Sequence, residues 1–439
     1  MSPIFDYFPV PQHLLLRSAI LLLPAISALA CPPLPPQSAA ALPLSAVLDR
    51  VPACHPDVRA AERVLAASTA DITSAGEAPN PQLTMGAGSV GSRIGSGSPW
   101  NKTLDHSLRI DQLFERGGKR ALRRAVAEAQ RDAARADLAE ARRQGLLGAT
   151  RAFYDLVAAL SRREQTAAGV ALNEESLQAL ERRVRAGDAA PLDATRFAVD
   201  ALRLQADLKQ ADADVRSQRL QLAALIGAEA QAEALTPVAV ALRSRDQVIE
   251  TEAVLERRPD LVAAQARLSA AEQARDLARS QRTRDVSAGV QLDHWPVSDS
   301  NPSGTGNTLS VSVSVPLMLR HNYEGEVARA EADVNTGQEA LWRAQLAARS
   351  DLDRARARWQ AAEARRRLVV EQLLPAAERL AAGAEFAYRR GATGALDVLD
   401  ARRSLNAARI ERINADADLA KAAAELDAAR QPIDYLLKP

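Results

Sequence analysis

Long stretches of the chain place apolar residues three, four and seven positions apart, which is the spacing of an amphipathic helix. Residues 120–185 contain no proline, and the apolar spacing there runs through Leu146, Phe153, Leu156 and Leu160. This pattern predicts one long helix with an apolar seam that packs against a neighbouring helix.

A second long helix is predicted over 324–390, where Leu352 and Trp359 lie seven positions apart. Pro375 lies inside this stretch and should kink the helix, because its ring clashes with the preceding turn. Shorter helical patterns come before the long helices and returning helices come after them. Their ranges are 56–76, 259–282, 191–225 and 395–429.

Four strands are predicted, at about 80–90, 102–113, 284–295 and 307–317, and three of them alternate clearly between apolar and polar residues. In "LSVSVSV", for example, the apolar residues oppose serines, so each strand has one apolar and one polar face. Such an apolar face covers a core in a soluble sandwich and contacts lipid in a membrane barrel. Strands of about 10 residues, with Trp100 and Trp295 at their ends, favour the barrel.

Four strands are too few for a closed membrane barrel, because the smallest barrels have about 8. Open strand edges are not tolerated in lipid, since their backbone groups would lack hydrogen-bond partners. We therefore expect several copies of the chain to share one barrel.

The second half of the chain repeats the first. "HPDVRAAERVL" at 55 resembles "RPDLVAAQARL" at 258, and "RAGDAAPLDA" at 185 resembles "RRGATGALDV" at 389. The offset stays at about 203 or 204 residues, which indicates an internal duplication. The predicted organisation has two repeats, over 31–226 and 248–429. A connecting equatorial segment covers 227–247, and a C-terminal tail covers 430–439.

The composition agrees with long helices, since aromatic residues make up only 3% of the chain and hydrophobic residues 47%. The 56 basic and 55 acidic residues nearly cancel to a net charge of +1. No bulk field therefore favours nucleic acid as a partner.

Residues 1–30 have the features of a secretory signal peptide: an arginine, then an apolar run ending in Ala-Leu-Ala. Cleavage there would make Cys31 the first residue, the position at which bacterial lipoproteins carry their acyl groups. We take Cys31 as a candidate lipidation site, with ordinary secretion as the alternative. Cys31 and Cys54 are the chain's two cysteines and are too few for a disulfide framework.

No catalytic or metal-binding constellation emerges from the sequence. The five histidines are scattered, and no Ser/His/Asp set is apparent. Cys54 and His55 together supply only half of a tetrahedral metal site. We therefore expect neither an enzyme nor a resident cofactor or metal.

The segment "RRGATGALDVLDARRS", residues 389–404, predicts a glycine turn followed by a helix start. Asp397 and Asp400 lie three positions apart, which places them on one helical face. The plainest interpretation is favourable interaction of carboxylates with the helix dipole. In the first half Asp193 matches Asp397, whereas Arg196 takes the place of the second carboxylate.

Together these features resemble the TolC-like outer-membrane efflux family over essentially the full length. The motifs that carry the resemblance are the duplication, "NPQL" at 80–83, "VSVSVPL" at 311–317 and "YRRGATGALDVLDARRSL" at 388–405. "ERGGKRALRRAVAEA" at 115–129 and "PLMLRHNYEGEVARAEADV" at 316–334 are similar to its heavy-metal cation branch.

The resemblance implies a mainly α fold with a small β part. Three chains would form a 12-stranded membrane β-barrel, four strands per chain, continued by an α-helical periplasmic barrel of coiled-coil hairpins. The expected location is the Gram-negative outer membrane, with the helices in the periplasm. The implied partners are two further copies, outer-membrane lipid, a periplasmic adaptor and an inner-membrane pump of the RND type.

The resemblance also implies roles for the turn residues. Asp397, Asp400 and Asp193 would form the periplasmic gate. The residues expected at the tip, where the adaptor would dock, are Gly187, Leu192, Tyr388, Arg390, Gly391 and Leu396.

The implied function is a passive exit duct for heavy-metal cations. A drug or type I secretion duct of the same fold is one alternative. A periplasmic coiled-coil adaptor protein is the other, although it should have one hairpin per chain and a soluble β-domain.

Overall fold

The computed structural model describes residues 31–32, 34–35, 41–88, 104–238, 255–296, 306–431 and 436. The predicted signal peptide, residues 1–30, and Trp100 lie outside the described residues.

Each half of the chain has a helix, two strands, a long helix and a returning helix, in that order. The helices are α1 (Leu44–Cys54), α2 (Pro56–Gly76), α3 (Lys119–Arg185), α4 (Pro191–Ile226), α5 (Pro259–Ser280), α6 (Glu324–Leu368), α7 (Leu374–Arg389) and α8 (Ala395–Arg430). The strands are β1 (Gln82–Gly88), β2 (Asp105–Phe114), β3 (Val286–Trp295) and β4 (Gly306–Ser314). Among the described helices, none combines the length and the apolar character needed to cross a membrane.

A π-helical turn, Val369–Leu373, separates α6 from α7 just before Pro375, the residue at which the sequence predicts a kink. Pro375, the second residue of α7, has no N–H, and its ring would clash with the carbonyl of Glu371 in a regular helix. The wider π turn avoids this clash, so the chain remains helical through the proline. β4 ends at Ser314, short of its predicted end at 317, because Pro316 has no N–H for pairing.

The chain packs as two compact units. We call the first, Met1–Arg59 with Gly145–Ser244 and Gln360–Ala424, the helical unit. The second, Ala60–Gln144 with Arg245–Trp359 and Glu425–Pro439, is the sheet unit. Each unit takes segments from both sequence halves, because every long helix is followed by a helix that returns along the chain. The predicted repeats 31–226 and 248–429 are therefore not themselves the compact units.

In the sheet unit the four strands form one antiparallel sheet in the order β1-β2-β3-β4. The register aligns the apolar residues into two rows that cross all four strands. One row is Met85, Leu108, Leu292 and Leu309, and the other is Leu83, Ile110, Val290 and Val311. No described segment covers these rows: Met85, Leu309 and Val311 are 73%, 69% and 74% exposed.

In the helical unit the predicted seam of α3 is buried in part. Phe153 and Leu156 are fully buried, whereas Leu146 and Leu160 are half-buried. Many of the other buried positions of α3 are alanines, including Ala149 and Ala152, which allows close approach of neighbouring helices.

Candidate functional site

The two glycine turns have the same hydrogen-bond pattern. At the first turn, Gly187 N donates to Val184 O at 3.0 Å and Asp188 N donates to Arg183 O at 2.8 Å. At the second turn, Gly391 N donates to Tyr388 O and Ala392 N to Ala387 O, both at 2.9 Å. Both are Schellman motifs, and Gly187 and Gly391 have the positive φ that this motif requires, 83° and 75°.

A small apolar cluster brings the two hairpins together at these turns. Leu180 and Phe197 come from the first hairpin and Ala395 and Leu399 from the second, and all four are buried. Tyr388 packs against this cluster, and the Arg183 guanidinium lies 5.8 Å from the centre of its ring. Part of the Tyr388 side chain therefore serves packing and is not free for an external contact.

The three predicted gate carboxylates have different local partners. Asp397 is the third residue of α8, and its Oδ2 accepts a hydrogen bond from Gly394 N at 3.2 Å. This is the carboxylate half of a capping box, so the helix-start interpretation holds for Asp397. Asp400 lies 3.4 Å from Arg403 Nη1, and Asp193 lies 3.4 Å from Arg196 Nη1. Asp397 and Asp400 are exposed and Asp193 is half-buried.

A buried carboxylate near the turns was not foreseen from the sequence. The side chain of Asp200 in α4 is only 7% exposed. Its Oδ1 accepts hydrogen bonds from Nε and Nη2 of Arg403 in α8, at 2.9 and 2.7 Å, and its Oδ2 accepts one from Asn173 at 2.7 Å. One feature of the sequence could have indicated this burial: Asp200 lies within the apolar stretch "FAVDAL" (197–202).

A second arginine of α8 adds to this linkage. Arg402 donates to Glu385 of α7 at 3.0 Å and to Ser176 of α3 at 2.8 Å. Together Arg402 and Arg403 bind α8 to three other helices of the helical unit, immediately after the first residues of α8, which include Asp397 and Asp400.

The predicted tip contacts are accessible for the most part. Leu192 and Leu396, the second residues of α4 and α8, are 59% and 47% exposed. Arg390 is exposed too, and its guanidinium lies 5.2 Å from the centre of the Phe386 ring.

The polar face of the sheet carries a connected network. Arg109 of β2 makes an ion pair with Asp111 at 2.6 Å and also donates to Gln291 of β3 and Ser312 of β4. Gln291 donates in turn to Asp293 at 2.8 Å. Charged and hydroxyl groups thus occupy one face, directly opposite the exposed apolar rows.

The segment Gly117–Arg120 (sequence GGKR) has a structural role where β2 leads into α3. Lys119 is buried, and its Nζ donates to Asp285 Oδ2 at 2.8 Å and to Thr283 O at 2.9 Å. Partial burial raises the pKa of the Asp285 carboxyl. Hydrogen bonds from Lys119 Nζ and Arg116 N outweigh this effect, and the net result is a pKa below the usual 3.8. The segment therefore holds the end of β2 to the residues that precede β3.

Cys31, the predicted lipidation site, forms a disulfide with Cys54. One sulfur atom cannot be in a disulfide and a lipid thioether at once, so the structure and the predicted lipid anchor exclude each other. The two cysteines are 23 positions apart, and only the tertiary fold brings them together. Among the described residues, no group of three or more His, Cys, Asp or Glu side chains is arranged to hold a metal ion.

Comparison with known proteins gives a consistent result. A family model described as outer membrane efflux protein matches residues 47–228 and 251–430. The cobalt-zinc-cadmium resistance protein CzcC of Cupriavidus metallidurans is 27% identical over 404 residues, which cover 90% of this chain and 91% of that protein.

Two solved structures share the fold. The outer membrane protein VceC of Vibrio cholerae matches with a TM-score of 0.74 and 22% identity, over 89% of this chain and 96% of that one. CusC, described as forming a transmembrane channel, matches with a TM-score of 0.72 and 14% identity, over 89% of this chain and 92% of that one.

Proposed function

The chain belongs to the outer membrane efflux protein family, and from this premise we propose that it is the passive exit duct of a tripartite efflux system. Three copies lie in the outer membrane and share one 12-stranded barrel, and their helices form a periplasmic tunnel. The two halves of each chain arose by duplication.

The observation that carries this proposal is the uncovered apolar face of the sheet. Met85, Leu309 and Val311 are mostly exposed, whereas the opposite face carries the Arg109 network. An apolar surface of this extent on a sheet requires lipid or another protein. β1 and β4 are the edge strands of the sheet, and in lipid each must pair with another strand.

The periplasmic end is proposed to be the region of the two Schellman turns. Asp397 and Asp400, with Asp193, would gate the entrance, and Leu192, Leu396 and Arg390 would contact a periplasmic adaptor. An inner-membrane pump of the RND type would supply the energy. Passage requires the hairpins to move apart, because the Asp200–Arg403 pair and the Leu180 cluster hold them together.

Heavy-metal cations are the proposed cargo. This rests on the similarity to a cobalt-zinc-cadmium resistance protein over 90% of the chain. Drug and type I secretion ducts share the fold and remain the alternative cargo classes. The adaptor alternative loses support, because the family match extends over both halves of the chain.

Three measurements test the proposal. Native mass spectrometry of protein extracted from outer membranes should give three copies, and the same preparation should form ion-conducting channels in planar bilayers. A monomer without conductance would contradict the duct. Deletion of the gene should raise cellular zinc, cobalt and cadmium; drug accumulation with unchanged metal content would contradict the cargo alone.

A further inference from the structure

The N-terminal end of the described chain is held by a covalent bond. Cys54 is the last residue of α1 and is buried, and it forms a disulfide with Cys31. The two Cα atoms are 5.5 Å apart, within the usual range for bridged cysteines.

The residue packed against this disulfide is a glycine, Gly227, which leaves room for the two cysteine side chains. Gly227, the residue that ends α4, has a positive φ of 61°. A Cβ atom at this position would lie 2.8 Å from Cys31 Cβ and 3.3 Å from Cys54 Cβ. Both the backbone conformation and the available space therefore require glycine beside the two cysteines.

The residues that follow Cys31 are held at the same place. Arg50 Nη2 donates to Pro32 O at 2.7 Å, and Arg50 Nε donates to Ile226 O at 3.0 Å. Leu34 is buried and exchanges two hydrogen bonds with the side chain of Gln231, at 2.7 and 2.6 Å. Residues 31, 32 and 34 thus lie against α1, the end of α4 and the 3-10 helix Glu229–Ala234.

We propose that Cys31 of the exported protein is held in a disulfide with Cys54 and carries no thioether-linked diacylglycerol. The N-terminal segment is then attached to the protein itself and not to the membrane. The disulfide itself requires only export, whereas the membrane-fraction measurement below also rests on the proposed outer-membrane location.

The chemistry requires an oxidant of a class that acts on exported proteins. The two thiols lose two protons and two electrons to a reactive protein disulfide, which is reduced to its dithiol. Lipidation would form a carbon–sulfur bond at Cys31 Sγ and leave Cys54 as a free thiol. The two outcomes therefore differ in the mass and in the thiol content of the chain.

Trypsin separates the two possibilities, because Arg50 and Arg59 place Cys31 and Cys54 on different peptides. The full-length protein is expressed in a Gram-negative host, alkylated without reduction and digested. We expect nearly all of peptide 51–59 to be linked to the peptide that ends at Arg50, and to separate from it after reduction. A diacylglyceryl group on the Cys31 peptide, with Cys54 alkylated, would overturn the proposal.

Variants give a second measurement. Cys31→Ser should remain in the outer-membrane fraction, because no lipid is lost, but should lose heat stability. Gly227→Ala should lower the disulfide-linked fraction. Gly391→Ala is the matched control and should leave the disulfide-linked fraction unchanged. Gly391 has a similar φ of 75°, but no atom lies within 4 Å of the position that an added Cβ would take. Release of Cys31→Ser from the membrane, with its channels intact in bilayers, would contradict the disulfide proposal and leave the duct standing.

Discussion

Arg403 of α8 donates two hydrogen bonds to the same carboxylate oxygen of Asp200 in α4, at 2.9 and 2.7 Å. This pair joins the returning helices of the two sequence halves. Asp200 is almost fully buried, whereas the Arg403 side chain is 46% exposed, so the two partners differ in their access to water.

This asymmetry predicts different costs for removing each partner. Arg403→Met leaves a buried carboxylate without its cation and should lower the free energy of unfolding by about 2–3 kcal/mol. Asp200→Asn should cost about 1 kcal/mol, because the half-exposed Arg403 regains water. Urea unfolding followed by circular dichroism measures both. Arg163→Met, which breaks an exposed pair with Asp212, is the control and should change little. Equal losses for Arg403→Met and Arg163→Met would show that the Asp200 pair has no special role.

The double substitution Asp397→Asn with Asp400→Asn should weaken block of the channel by multivalent cations several-fold. Carboxylates that gather at the entrance of the proposed trimer attract cations, and the amides do not. Asparagine keeps an oxygen that can accept the Gly394 hydrogen bond, so the helix start should survive. Single-channel recordings in planar bilayers give the block. Asp207→Asn is the control, because Asp207 is an exposed carboxylate of α4 that lies 14 positions after Asp193 in the sequence. Block that does not change in the double variant would remove these residues from the gate.

Gly117 and Gly118 form a matched pair for testing the junction between β2 and α3. Their φ values are alike, 74° and 70°, but only Gly117 lies against Thr283, at 2.8 Å from the position of an added Cβ. Gly118→Ala should cost about 1–2 kcal/mol from backbone strain. Gly117→Ala should cost more, and adding Thr283→Gly to Gly117→Ala should recover part of the difference. Thermal unfolding of the two alanine variants and of this double variant provides the test. Equal melting temperatures for the two single alanine variants would refute the steric argument.

The junction should also respond to pH. The folded-state pKa of Asp285 lies below its usual 3.8, so its stabilising effect is present above that value and is lost as the pH falls through the folded-state pKa. The melting temperature of the wild type should therefore decrease more steeply in acid than that of Asp285→Asn. Parallel curves for the two proteins would mean that Asp285 does not contribute in this way.

The two faces of β4 should tolerate charge differently. Val311→Lys places a cation on the apolar face and should cost about 2–4 kcal/mol if that face contacts lipid near the middle of the bilayer. Ser310→Lys, which places the same cation on the opposite, polar face, should not lower the amount of protein in the membrane. The amount of each variant in the outer-membrane fraction is the measurement. Similar amounts of both would argue against lipid contact at Val311.

The sequence by itself determined the local elements, because each depends on residues close together in the chain. Apolar spacing predicted α3 and its buried Phe153, and alternation predicted the strand that carries Val311. Glycines at the turns and Pro375 predicted the chain reversals and the interruption between α6 and α7, since their backbone limits are intrinsic.

Only the tertiary structure decided which distant residues meet. The Cys31–Cys54 disulfide, the Lys119–Asp285 pair and the Asp200–Arg403 pair join residues that are 23, 166 and 203 positions apart. Charged and sulfur-containing side chains follow no period along the chain, so their partners are set by how helices and strands pack. The same packing divides the two sequence halves between two compact units and leaves the apolar rows of the sheet uncovered.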